Sequence, residues 1–90
     1  MKTFNIVKKH VDRLDRMGLL DMGAPKDEYD IESRLIGERI TADSTADEIA
    51  EVMADVFSRM FSLENESAEK YYPAAKGIYD ALQGLRSETL

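Results

Sequence analysis

Cysteine is absent from the 90 residues, and histidine occurs once. Without cysteine there is no disulfide and no thiolate metal site, which fits a reducing compartment. A single histidine, His10, excludes two-histidine metal sites. A catalytic triad built on it would need a nucleophile elbow, which the chain lacks. Neither a Walker loop nor Gly-x-Gly-x-x-Gly occurs, so nothing points to nucleotide binding. No apolar run approaches the roughly 18–20 residues of a membrane span. Lys8, Lys9 and His10 cut short the apolar stretch a secretory signal would need, so the expected location is cytoplasmic. There is no strand signal, internal repeat or low-complexity tract.

What is present suits one helical domain over residues 1–90. A chain of this length buries roughly 60–65% of its unfolded surface, and 43% hydrophobic residues can fill such a core. The net charge of −6 is unevenly spread. Residues 1–20 carry five basic and two acidic side chains, net +3, whereas residues 21–66 carry four and thirteen, net −9. An acidic domain is a poor ligand for phosphates, so nucleic acid is not an expected partner. The basic side chains of the first helix are expected to face the acidic middle of the same molecule.

Four apolar patterns predict an all-α fold, a compact irregular array of three to four helices. The first runs from Thr3 to about Met17, with Phe4, Ile6, Val7, Val11, Leu14 and Met17 inward and Gly18 closing it. Asp12 and Arg16 are placed to pair at i,i+4. The stretch from Gly18 to Lys26 reads as an ordered loop pinned by Leu19, Leu20 and Met22. A second helix is expected to start near Asp27 or Asp30, capped by either, with Ile31, Leu35, Ile36 and Ile40 on its apolar side. Thr45-Ala46-Asp47-Glu48 matches a capping box. It opens a central helix with Ile49, Val52, Met53, Val56, Phe57, Met60 and Phe61 on a broad inward face. The last helix should begin near Tyr71 or Tyr72, with Pro73 in its first turn. Its seam is Tyr71, Ala75, Ile78, Leu82 and Leu85. Small residues form further lines, Ala46-Ala50-Ala54 and Ala74-Gly77-Ala81-Gly84. One of these is expected to meet another backbone closely, within the molecule or across a weak homodimer.

The carboxylates Asp27, Glu28, Asp30 and Glu32 crowd one turn. Acid–base catalysis needs carboxyls whose environments push their pKa values apart, and an exposed turn supplies no such difference. An EF-hand loop starting at Asp27 would put Tyr29, Ile31 and Glu32 at positions 3, 5 and 6, so that motif fails. His10, at the border of the apolar stripe, reads as a packed or rim residue. Met17, Met22, Met53 and Met60 read as core residues rather than an adaptable binding surface. No catalytic residue, metal ligand or cofactor is expected.

The run Leu19-Leu20-x-x-Gly23-Ala24-Pro25-x-Asp27-Glu28-Tyr29-Asp30-x-Glu32 resembles the YugE-like group of small bacterial proteins. Tyr71-x-Pro73-x-Ala75-x-x-Ile78-Tyr79 resembles that group's last helix. Members often carry proline after the aspartate that closes helix 1, where this chain has Arg16. The resemblance implies a compact helical array in a bacterial cytoplasmic protein, and it implies no activity.

The expected function is a non-catalytic protein-binding module, for example an immunity- or antitoxin-like neutraliser. Asp27, Glu28, Tyr29, Asp30 and Glu32 are its candidate contacts to a basic partner. The alternative is a small-ligand protein or enzyme, with a pocket between the Leu19–Pro25 loop and the C-terminal tyrosines. A third class is a subunit that only stabilises a larger assembly.

Overall fold

The Thr45 capping box forms as the sequence predicts. The Thr45 hydroxyl accepts from Glu48 N–H at 3.1 Å, and Thr45 N–H donates to the Glu48 carboxylate at 2.8 Å. In the computed structural model, which describes residues 2–88 and the side chains of residues 3–85, this box starts α3 (Ala46–Phe61). The other helices are α1 (Lys2–Leu14), α2 (Asp30–Arg39) and α4 (Ala68–Glu88), with no strand among the described residues. α3 and α4 pack on each other most extensively; α1 bridges α2 and α4, and α2 also meets α3. Each helix thus touches two others around one core. The radius of gyration is 12.6 Å, close to the roughly 12 Å expected for a packed chain of this length.

Four aromatic rings occupy the centre. Phe57 stacks on Phe61 and Tyr71, with centroids 5.7 and 5.6 Å away, and Tyr29 lies 5.9 Å from Phe57. Val7 and Val11 of α1, Ile36 and Ile40 near the end of α2, and Ala75, Ile78 and Leu82 of α4 close around them. Met53 is in this core, but Met22 is 81% exposed and Met60 is also exposed, so the four methionines do not share one role.

Two helix boundaries and one cap depart from the sequence reading. α1 stops at Leu14 because Asp15, at φ +45°, takes the left-handed position three residues before Gly18. Asp15 tolerates it because its carboxylate accepts the N–H groups of Leu20 and Asp21 and the Tyr29 hydroxyl. The expected Asp12–Arg16 pair is therefore lost, and Asp12 pairs with Lys8 instead. α2 begins at Asp30 behind Tyr29, which makes no side-chain cap bond, so neither Asp27 nor Asp30 acts as the cap. Its phase is set by Tyr29, which is fully buried and carries Ser33, Ile36 and Ile40 inward with it. Ile31, about 200° further round the helix from Tyr29, is turned outward and 60% exposed. α4 begins at Ala68, where the Ser67 hydroxyl accepts Glu69 N–H at 3.2 Å. Pro73 consequently lies inside the helix, where its missing N–H leaves the Glu69 carbonyl without that partner.

The small faces are partly packed. Ala50 and Ala54 are buried, whereas Gly84 is open, with nothing within 4 Å of the place a β-carbon would take. At Gly77 the neighbour is the His10 ring rather than a backbone: a Cβ there would lie 2.6 Å from His10 Cδ2. Gly77→Leu is therefore expected to cost about 1–3 kcal/mol by overpacking. In a His10→Ala background the same change should be neutral or stabilising, since only glycine's helix penalty then remains. Thermal melts of the double-mutant cycle check this; additive effects would mean that the ring and the glycine do not interact.

Candidate functional site

The acidic turn expected to carry the function is not the open patch that its sequence suggests. Asp27 and Glu28 are exposed, but Tyr29 is fully buried and Glu32 nearly so. The Tyr29 hydroxyl donates to Asp15 at 2.6 Å and accepts the N–H groups of Met17 at 3.1 Å and Leu19 at 3.4 Å, which ties the start of the Gly18–Lys26 loop to the core. The bond from Tyr29, then backbone donors, holds the Asp15 carboxyl below its ordinary range. Burial, then the bond to Asp15, pushes the Tyr29 phenol up. Asp30 is occupied by Lys8, whose Nζ lies 2.6 Å from its carboxylate and 2.9 Å from that of Asp12. Tyr29 therefore cannot anchor a partner, and of the five candidate residues only Asp27 and Glu28 remain exposed.

Glu32 is buried with Oε1 lacking any partner. Desolvation, reinforced by Glu28 and Asp30, raises its carboxyl above the ordinary range. A raised folded value means that the ionised form opposes folding at neutral pH, and that this opposition disappears in acid. Glu32→Gln should therefore raise stability by about 1 kcal/mol at neutral pH. The gain should vanish as pH falls through the raised value toward about 4. Urea midpoints at the two pH values check the sign.

A second ion network centres on a buried carboxylate, Glu66. Glu66, whose side chain is 3% exposed, receives a two-pronged bond from Arg16, at 2.7 and 3.2 Å. Lys70 and the Tyr71 hydroxyl complete its partners. The Arg16 guanidinium, then Tyr71 and Lys70, outweigh desolvation and lower the Glu66 carboxyl to about 2. Burial, then Glu66, pushes the Tyr71 phenol well up. Neither Tyr29 nor Tyr71 can line an open pocket, since both are fully buried. This removes Tyr71 from the aromatic walls expected for a ligand site beside the Leu19–Pro25 loop.

The third tyrosine, Tyr72, lines a different space. Asp47, Ala50 and Glu51 of α3 and Ala68, Glu69 and Tyr72 of α4 border a groove of about 390 Å³. Tyr72 is 42% exposed there. Asp47, Glu51 and Glu69 form no ion pair among the described residues. Asp47 and Glu69 sit in first helical turns, where a carboxylate also complements the helix dipole. Glu51, a turn further along α3, has no such role. The one trace of this groove in the sequence is the Asp47/Glu51 spacing, which puts two acids on one face with no base opposite. A larger cleft, about 450 Å³, lies between the start of α1 and α2 and is lined by Thr3, Phe4, Arg34, Gly37 and Glu38. It carries one charge of each sign.

No helix among the described residues is long and apolar enough to cross a membrane. Comparison with family models, curated proteins and solved structures finds no match to this chain.

Proposed function

We propose that the protein is a non-catalytic binding module that holds a basic segment of a protein partner in the groove between α3 and α4. The observation that carries this reading is the set of three unneutralised carboxylates around a half-exposed tyrosine in one concave site. A lysine or arginine entering it would meet Asp47, Glu51 and Glu69 with its charge and the Tyr72 ring with its stem or cation face. The net charge of −6 would speed the encounter with such a partner. An immunity- or antitoxin-like neutraliser in the bacterial cytoplasm, monomeric or weakly dimeric, is the biological form we favour. Nucleic acid is not its partner in this reading, because the groove repels phosphate. Kinship with the YugE-like group is part of the same proposal and rests on the Leu19–Glu32 run and the Tyr71–Tyr79 pattern.

Titration of a lysine- and arginine-rich peptide, followed by calorimetry, tests the reading. Glu51→Lys combined with Glu69→Lys should weaken binding at least about tenfold, or 1.4 kcal/mol. The control pair Asp27→Lys and Glu28→Lys should change it far less. Equal loss from both pairs would reduce the effect to bulk charge, and no loss from the groove pair would remove the groove from consideration.

A further inference from the structure

On the opposite flank of α4, His10, Arg13 and Leu14 of α1 and Pro73, Ala74 and Gly77 of α4 enclose a cleft of about 290 Å³. Its charge is the reverse of the acidic groove's. Arg13 is exposed and has no ion pair or hydrogen bond among the described residues. The His10 ring is held in two ways. Nδ1 lies 2.9 Å from the Ile6 carbonyl, an acceptor only, so Nδ1 carries the hydrogen. The Cδ2–Nε2 edge of the ring occupies the space a side chain at position 77 would need, 2.6 and 2.7 Å from that Cβ site. Nε2 has no hydrogen-bond partner among the described residues. Among the described residues, Arg13 is the one permanently charged residue lining the cleft, and the α4 wall supplies no charge.

We propose that this cleft binds a carboxylate carried on a small apolar body. Arg13 supplies a forked donor to the carboxylate, and the Cδ2–Nε2 edge of His10 borders the same cleft. Leu14, Pro73 and Ala74 receive the apolar part. The helix-interior glycine at 77, disfavoured there against alanine, is what lets the imidazole lie in this position. The carboxylate could belong to a free short-chain acid or to the C-terminus of a peptide, and both offer the same chemistry. The site is independent of the acidic groove, which selects the opposite charge.

The chain has one histidine, so its ring protons report on this cleft alone. The experiment follows the His10 ring and the Gly77 amide by NMR at mildly acidic pH. Three probes are added in turn: butyrate, a short apolar peptide with a free C-terminus, and the same peptide amidated. Saturable shifts with Kd below about 10 mM are expected for at least one free carboxylate and not for the amide. Saturation by butyrate assigns a small acid, and saturation by the free peptide alone assigns a chain terminus. Arg13→Gln should weaken binding about tenfold, whereas Lys9→Gln, which removes an exposed charge on the same helix, should not. Non-saturating shifts with every probe would overturn the proposal, and so would equal losses in the two variants.

Discussion

Phe57→Ala is expected to lower the stability of the protein by about 3–5 kcal/mol, the usual cost of emptying a buried aromatic site. Phe57 has no exposed surface and contacts Phe61 and Tyr71 by stacking and Tyr29 at a tilt. Those rings come from α3, α4 and the segment preceding α2, so none can follow the cavity inward without moving its own backbone. A domain of this size has roughly 5–13 kcal/mol in total. The variant should therefore unfold at a much lower urea midpoint, or be partly unfolded at 37 °C. Phe61→Ala, on the half-buried neighbour, should cost clearly less. A Phe57→Ala midpoint within 1 M urea of the parent, about 1–3 kcal/mol for a small protein, would mean that the cavity refills and that the four-ring centre is not the keystone of the core.

Glu66→Gln should cost about 2–3 kcal/mol at neutral pH. Removing one partner of a buried pair leaves the other charge desolvated, at about 3–5 kcal/mol in fully buried cases. The lower figure applies because the Arg16 side chain is 28% exposed and Lys70 is more open still. The pH dependence has a definite sign. The folded carboxyl titrates near 2, below its ordinary value of 4.5. Its contribution is therefore fully present above about pH 4.5 and is lost as pH falls through about 2. The parent should lose stability steeply across that window, and the glutamine variant should show a shallower acid limb. Identical acid limbs would exclude Glu66 as the group responsible. Glu32 acts with the opposite sign, so Glu32→Gln should steepen the net acid loss while raising the neutral plateau.

The two clusters that hold the connectors show why local reading reached only part of this molecule. Thr45 and Glu48 stand three residues apart, and everything their capping box needs is within one turn of helix. Tyr71, Ala75, Ile78 and Leu82 likewise share a face by helical geometry alone, and all four are buried. Asp15 and Tyr29 are fourteen residues apart, and Arg16 and Glu66 fifty. No periodicity links such pairs; they meet because α1 and its exit loop fold back across the core. The same fact ended α1 early, since Asp15 turns left-handed only when Tyr29 and the loop amides are there to bond it.

The candidate site divides in the same way. Asp27 to Glu32 read as a surface turn because five of its six residues are polar or aromatic-polar in a stretch with weak periodicity. Packing then drew Tyr29 inward and carried Glu32 with it. Met22 and Ile31, apolar enough to suggest burial, were left outside. The acidic groove and the His10 cleft each combine residues from two helices, so neither exists as a sequence motif.

The all-helical class, an array of three to four helices, the start of α3, the inward seams of α3 and α4, and the absence of thiol and two-histidine chemistry are all legible without coordinates. These follow from composition and from interactions spanning no more than a few residues. Which acids are paired, which tyrosine is exposed, where α1 ends and which faces of α4 border open clefts emerge only when the helices pack. Those outcomes depend on which distant side chains compete for the same interior volume, and the largest buried ring sets the phase for its neighbours.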